Sequence, residues 1–173
     1  LSTWNNVAQN ITFLKASDEN FIDKRNSIID SLKIKFNVFF GSGYGRPNMF
    51  LSKPLDIINA NIKSLLNYTE YDQVNLFAYM STSEIYSGLQ CNATESTPIV
   101  SSTQQKRSIY IESKRLGEAI TSNLVGNNST RAVSYRIALA TPPVMIDNDN
   151  RVLADLINSG LKKKRVVLNG GSN

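Results

Sequence analysis

Histidine is absent from the 173 residues of this sequence, and cysteine occurs once, as Cys91. Zinc hydrolases, Ser-His-Asp hydrolases and Cys-His proteases need an imidazole as a metal ligand or as a base, so the lack of histidine excludes these chemistries. A single cysteine cannot form a disulfide within the chain. Any proton transfer by this protein must therefore use tyrosine, lysine, glutamate or aspartate.

Long apolar runs and an amino-terminal export signal are also missing. No run approaches the roughly 20 residues that a helix needs to cross a bilayer. The first residues, Leu1-Ser2-Thr3-Trp4, lack the basic-then-apolar order of a secretion signal. The sequence therefore predicts a cytoplasmic protein without a membrane partner. Its content of 41% hydrophobic and 19% charged residues is typical of a soluble globular domain.

The formal charge of +5 suits phosphate-bearing ligands or nucleic acid, but much of the excess lies in the run Lys162-Lys163-Lys164-Arg165. No aromatic residues interleave with this run, as a base-stacking surface would require. A solvated helix end is the favoured interpretation, and we expect no nucleic-acid partner.

Apolar runs rich in valine, isoleucine and phenylalanine alternate with segments of helical period, which is the pattern of parallel strands joined by crossover helices. The predicted fold class is α/β. The candidate strands are Ile11 to Leu14, Phe36 to Phe40, Val74 to Met80, Ala132 to Leu139 and Arg165 to Leu168. The candidate helices are Leu55 to Tyr68, Ile109 to Leu124 and Arg151 to Leu161.

Tyr110 and Lys114 lie one turn apart on a predicted helix, so their side chains share one face. A nearby ammonium favours the phenolate and lowers the pKa of a tyrosine, which can then remove a proton from a sugar hydroxyl. Taken alone the pair is a weak signal, because two solvated helix residues would give the same spacing.

A cluster of hydroxyl groups and a carboxylate, Ser81 to Tyr86, directly follows the strand Val74 to Met80. The carboxyl end of a parallel strand is where ligands bind in open α/β sheets. A capped turn explains the cluster equally well, because serine and threonine commonly bond to local backbone.

Together the two segments are far more specific. Ser81-Thr82-Ser83-Glu84-Ile85-Tyr86, followed by Tyr110-Ile111-Glu112-Ser113-Lys114, closely resembles the paired signatures S-T-[SD]-E-V-Y-G and Y-x-x-x-K of the extended short-chain dehydrogenases. That family includes nucleotide-sugar epimerases, dehydratases and UDP-glucuronate decarboxylases. The resemblance implies a Rossmann-like parallel sheet flanked by helices and a bound NAD, with NADP left open.

The resemblance also implies roles for individual residues. Thr82 and Tyr110 would be the catalytic hydroxyl and the base, and Lys114 would hold the nicotinamide ribose and lower the tyrosine pKa. Ser83 and Glu84 match positions that handle the 4-keto intermediate in dehydratases and decarboxylases. The further residues implied for the cofactor are Asp18, Gly41, Ser42, Gly43, Asn61 and Ser81, and those implied for the substrate are Arg107 and Leu139.

Departures from the family pattern concern the ends of the fold. The G-x-x-G-x-x-G fingerprint is missing, and Pro47 and Pro54 prevent a helix from starting directly after Gly41-Ser42-Gly43-Tyr44-Gly45. We therefore expect a sheet lacking its first βαβ unit and most of the substrate lobe. Residues 1–140 would be a partial cofactor domain, and residues 141–173 would begin the lobe that binds the sugar nucleotide.

The resemblance predicts an epimerase/dehydratase of nucleotide sugars, with a decarboxylase of the UDP-glucuronate type as a close alternative. It further implies a homodimer and a role in surface-polysaccharide synthesis. A non-catalytic cofactor-binding regulator on the same fold is the rival from another class, and the intact set Thr82, Tyr110 and Lys114 argues against it.

Overall fold

The computed structural model of the chain describes residues 12, 14, 18–43, 52–68, 72–90, 92–125, 130–138 and 152–164. The chain divides into two compact units, Leu1–Phe36 and Asn37–Asn173. The first unit contains helix α1 (Phe21–Ser31), which buries Arg25 and Ile29. This helix was not among those singled out from the sequence.

A three-stranded sheet is formed by β1 (Phe36–Phe40), β2 (Val74–Thr82) and β3 (Arg131–Ile137), in the order β1-β2-β3. β2 and β3 run parallel, with Ser81 opposite Arg136. As the middle strand, β2 is the most deeply buried, which explains its nearly continuous apolar sequence. Its carboxyl end leads directly into a 3₁₀ turn, Ser83–Tyr86, that carries the polar cluster.

Helices of the second unit follow β1 and β2. The helix α2 (Pro54–Ile58) begins at a proline, continues as a π-helical turn, Asn59–Lys63, and ends as the short helix α3 (Ser64–Leu66). The long helix α4 (Ser108–Ile120) also passes into a π-helical turn, Thr121–Val125. The helix α5 (Val152–Lys163) lies after β3 in the chain.

The helix α4 packs against both α2 and β2. Ile57 of α2, Ile85 of the 3₁₀ turn, and Tyr110 and Ile111 of α4 form one buried cluster. This cluster holds the start of α4 beside the end of β2, so the two segments singled out from the sequence share a single piece of core.

A close approach between Tyr79 and Gly117 fixes α4 against the middle of β2. Tyr79 is fully buried and stacks on Phe40 of β1, with ring centroids 6.1 Å apart. Its hydroxyl end lies where a Cβ on Gly117 would be, so only glycine fits at this position without displacement. The Tyr79 hydroxyl has no hydrogen-bond partner among the described residues.

The α/β class and the Rossmann-like arrangement predicted from the sequence are confirmed. The strand Phe36–Phe40 was predicted with its observed bounds, β2 extends two residues beyond its predicted end, and β3 ends before Leu139. The candidate strand Arg165 to Leu168 and residues 11 and 13 of the candidate strand Ile11 to Leu14 lie outside the described residues. None of the helices in the described ranges combines the length and the apolar character needed to cross a bilayer.

Candidate active site

Thr82 and Tyr110 meet at the carboxyl end of β2. Thr82 is the last residue of the strand and is 5% exposed, and Tyr110 lies in the first turn of α4 and is 9% exposed. A side-chain hydrogen bond links their hydroxyl groups. The Thr82 oxygen also accepts the backbone N–H of Glu84, at 3.3 Å, which begins the 3₁₀ turn. The structure thus joins two segments separated by a long loop in the sequence.

Glu84 and Arg107 form an ion pair beside these hydroxyl groups. Their side chains approach to 2.7 Å and remain partly exposed. The Arg107 guanidinium also lies over the Tyr110 ring, 5.9 Å from its centroid. Arg107 immediately precedes α4, and its carbonyl accepts the backbone N–H groups of Tyr110 and Ile111, both at 3.1 Å. The site therefore contains one positive and one negative side chain next to the phenol.

Opposing effects act on the protonation of Tyr110. Burial raises the pKa of the Tyr110 phenol, the negative charge of Glu84 raises it further, and the hydrogen bond with Thr82 and the charge of Arg107 oppose this rise. The Lys114 amine is directed to a carbonyl of β2, and the expectation that it lowers the pKa of Tyr110 stays a prediction. Burial likewise raises the pKa of Glu84, and Arg107 opposes that rise.

Lys114 lies one turn beyond Tyr110 and is 6% exposed. Its Nζ donates a hydrogen bond to the carbonyl oxygen of Met80, at 2.8 Å, and lies 5.1 Å from the centroid of the Tyr79 ring. Burial lowers the pKa of the Lys114 amine to about 8, because the charged form loses hydration. The amine is thus held at the end of β2 and can be neutral or charged near physiological pH.

The loop after β1 comes close to Lys114 at Gly43. This glycine has a φ of 148°, and a Cβ at this position would collide with the Asn61 Oδ1 and come within 3.3 Å of the Lys114 Nζ. Asn61, in the π-helical turn, is fully buried and donates from Nδ2 to the Ser113 hydroxyl, at 2.8 Å. Its Oδ1 has no hydrogen-bond partner among the described residues. The structure therefore brings together Gly43, Asn61 and Lys114, and their role in binding the cofactor stays a prediction.

A second polar network was missed by the sequence reasoning. Glu118 accepts hydrogen bonds from the Ser81 hydroxyl, at 2.5 Å, and from the Arg136 guanidinium, with a shortest distance of 2.8 Å. Arg136 also donates to the Tyr86 hydroxyl and to the Glu95 carbonyl. Glu118 follows Lys114 by one helical turn, and this spacing could have indicated that both face β2. The network holds the ends of β2 and β3 to α4.

The other predicted site residues either make contacts away from Thr82 and Tyr110 or lie outside the described residues. The Ser81 side chain is bonded to Glu118, and Ser42 makes a long hydrogen bond of 3.5 Å to the Ala60 carbonyl. Asp18 belongs to the first unit, where its carbonyl accepts the N–H of Phe21 at the start of α1. Gly41 is exposed, Ser83 opens the 3₁₀ turn, and Leu139 lies outside the described residues. Their binding roles stay predictions.

The described part of the chain holds no cluster of three or more carboxylate, cysteine or histidine side chains able to bind a metal. Comparison with curated proteins gave no match. The family model described as "NAD dependent epimerase/dehydratase family" matches residues 5–173, which is nearly the whole chain. The match agrees with the Thr82, Tyr110 and Lys114 arrangement, and it implies a nicotinamide cofactor and an enzymatic activity of the epimerase/dehydratase type. The chain therefore belongs to the NAD dependent epimerase/dehydratase family.

Proposed function

We propose that this protein interconverts or dehydrates a nucleotide-activated sugar through a 4-keto intermediate, with Thr82, Tyr110 and Lys114 as its catalytic residues. The hydrogen bond between Thr82 and Tyr110 is the observation that carries the proposal. Two hydroxyl groups at the carboxyl end of a parallel strand can hold one substrate oxygen between them. The Lys114 amine one turn away supplies a cation at the same strand end.

The residues around Lys114 fit a nicotinamide cofactor. Gly41, Ser42 and Gly43 are exposed and follow β1, and the missing Cβ of Gly43 lets the loop backbone lie close to the Lys114 amine. Such a cradle of small residues beside a cation suits ribose and phosphate groups. Lys114 would bind the ribose hydroxyls, and residues 41–43 would line the adjoining surface. When bound, the cofactor supplies the chemistry of taking a hydride from a sugar carbon and returning it.

Proton transfer falls to Tyr110. The phenolate oxygen of Tyr110 would accept the proton of the sugar 4-hydroxyl as that carbon is oxidised, and the resulting phenol would return it when the ketone is reduced. The Thr82 hydroxyl would donate a hydrogen bond to the same sugar oxygen. Both side chains are buried, which keeps competing water away from the reacting oxygen.

Glu84 favours dehydration over plain epimerisation and supports a second candidate, a decarboxylase. Burial raises the pKa of its carboxyl, and the ion pair with Arg107 holds it near Tyr110. A carboxyl in this position can serve as the acid or base that elimination at C5 and C6 requires and that plain epimerisation does not. Loss of carbon dioxide from a C5 carboxylate would use the same 4-keto intermediate. Ser83, next to Glu84 in the chain, would donate a hydrogen bond to that intermediate.

We also propose a homodimer formed by two copies of this chain through α2 and α4. These helices pack against each other. They expose large apolar side chains to solvent, namely Leu55, Ile58 and Leu116. Apolar side chains of this kind on adjacent helices favour burial against a partner. We expect such an enzyme to provide modified sugars for the synthesis of surface polysaccharides.

The experiment that tests the proposal uses the full chain with NAD and a panel of UDP-, dTDP-, GDP- and CDP-sugars, with products followed by mass spectrometry. Unchanged mass with a new sugar indicates an epimerase, loss of water a dehydratase, and loss of carbon dioxide a decarboxylase. Tyr110→Phe should lower turnover at least about 100-fold, because it removes the proton-transfer group.

Tyr135→Phe is the matched control, because this tyrosine is exposed on β3. It should keep parental turnover. Tight NAD binding without turnover of any sugar would overturn the proposal and favour the non-catalytic regulator.

A further inference from the structure

The ion pair of Glu84 and Arg107 differs from an ordinary surface pair in what it touches. A pair within α4, Glu112 with Arg115 at 3.2 Å, has similar exposure, with side chains 33% and 40% exposed against 30% and 41% for Glu84 and Arg107. Pairs as exposed as these contribute little to stability. Only Arg107, however, lies over the ring of Tyr110, at 5.9 Å from its centroid.

We propose that Arg107 is a positioning residue that keeps Tyr110 able to ionise, by neutralising the Glu84 carboxylate and by placing its own positive charge over the phenol ring. This inference rests on the proposed function for its effect on rate. The hydrogen bond with Thr82 also favours the phenolate. Arg107 adds a positive charge over the phenol ring and pairs with the carboxylate that opposes its ionisation.

The other titratable groups near Tyr110 are placed differently from Arg107. Lys114, on the same helix, directs its Nζ to the Met80 carbonyl. Tyr79, on β2, is buried and uncharged at ordinary pH, because burial raises its pKa well above the usual range. Among the described groups that act on the phenol, Glu84 disfavours the phenolate, and Arg107 is the cation that favours it.

The sign of each substitution follows from these charges. Arg107→Gln leaves the Glu84 charge unopposed, so the phenolate becomes harder to form. We expect kcat/KM at pH 7 to fall roughly three- to tenfold, with most of the loss recovered at higher pH. Glu84→Gln has the opposite effect on Tyr110 ionisation, and the double variant should ionise close to the parental pH. Arg107→Lys keeps the charge and should stay within about threefold of the parent.

The test is a spectroscopic titration of tyrosinate absorbance in the full chain, together with the pH dependence of kcat/KM. Each variant is measured with and without Tyr110→Phe, so that the difference isolates Tyr110 from the other tyrosines. The expected result is a Tyr110 midpoint that moves to higher pH in Arg107→Gln and to lower pH in Glu84→Gln. Arg115→Gln, the matched control for loss of an exposed arginine, should leave the midpoint unchanged.

Two results would overturn the inference: an unchanged Tyr110 midpoint in both single variants, or an equal shift in Arg115→Gln. Should Arg107→Gln fail to fold, Glu84→Gln and Arg107→Lys still test the inference, because each has its own expected result. The titration needs no turnover, so shifted midpoints without sugar chemistry would contradict the proposed function alone. Turnover with unmoved midpoints would contradict the role of Arg107 alone.

Discussion

Gly43 is the residue at which the backbone conformation and the site depend most directly on each other. Its φ of 148° is costly for any residue with a Cβ, and that Cβ would collide with the Asn61 Oδ1. We expect Gly43→Ala to displace Asn61 or Lys114 and to weaken NAD binding at least about tenfold, as a lost charge-assisted contact would. Isothermal titration calorimetry with NAD measures the effect.

Gly41→Ala is the control for this change. It lies in the same loop, but its Cβ would meet only the Met80 side chain, at an ordinary contact distance of 3.9 Å. NAD binding by this variant should therefore fall clearly less than in Gly43→Ala. Equal losses in both variants would mean that the loop tolerates no side chain anywhere, and the specific contact of Gly43 with Asn61 and Lys114 would lose its support.

Lys114 should make stability depend on pH in a defined window. Its pKa is lowered from 10.5 to about 8 in the folded chain. Between these values the unfolded chain holds a proton that the folded chain has released, so the free energy of unfolding rises with pH. Relative to Lys114→Met, the parent should gain up to about 3 kcal/mol between pH 8 and pH 10.5.

Urea unfolding at several pH values checks this prediction, with Lys63→Met as a control for losing a positive charge from an exposed position. The difference between parent and Lys114→Met matters, because many other groups titrate in the same range. Parallel stability curves for these two proteins would contradict a buried, destabilised ammonium.

The sequence predicted the meeting of Thr82, Tyr110 and Lys114 because two short signatures carry it. It could not predict the protonation of Tyr110, because that depends on burial and on the partner of Lys114, which are properties of the folded chain. The pairing of Arg107 with Glu84 was equally hidden, since the two residues are joined only by the fold.

At the scale of elements, periodicity predicted the helix after Pro54 but not its π-helical turn. The apolar spacing from Leu55 to Leu66 is helical throughout, and a local widening leaves no mark in such a pattern. The turn contains Asn61, whose amide reaches Ser113 of α4. π-helical turns are common at functional sites, and here the turn links α2 to α4 through Asn61.

The strand ends were predicted more accurately than the π-helical turn, because buried parallel strands are nearly continuous apolar runs. β2 continues through Ser81 and Thr82, since both residues keep the register with Arg136 and Ile137 of β3. The sequence pattern placed both residues after the strand and left a capped turn and a ligand site equally open. They are the last strand residues, and their place in the sheet makes Thr82 a fixed part of the site.

At the scale of the whole molecule, the proposed homodimer can be tested at Leu116, which is 50% exposed on α4. Leu116→Glu would put a charge into an apolar interface, so we expect it to convert a dimer into a monomer. Light scattering coupled to size-exclusion chromatography measures the mass. Leu161→Glu on α5, where the leucine is 76% exposed, is the matched control and should leave the mass unchanged. A monomeric parent would contradict the proposal.

The close approach of Tyr79 to Gly117 fixes the position of α4 along β2. The helix rises about 1.5 Å and turns about 100° per residue, so a slip of one residue would carry Tyr110 out of hydrogen-bonding reach of Thr82. The Tyr79 ring blocks such a slip, because no residue of α4 other than Gly117 is a glycine. The spacing between the Thr82 and Tyr110 hydroxyl groups is thereby determined by the core.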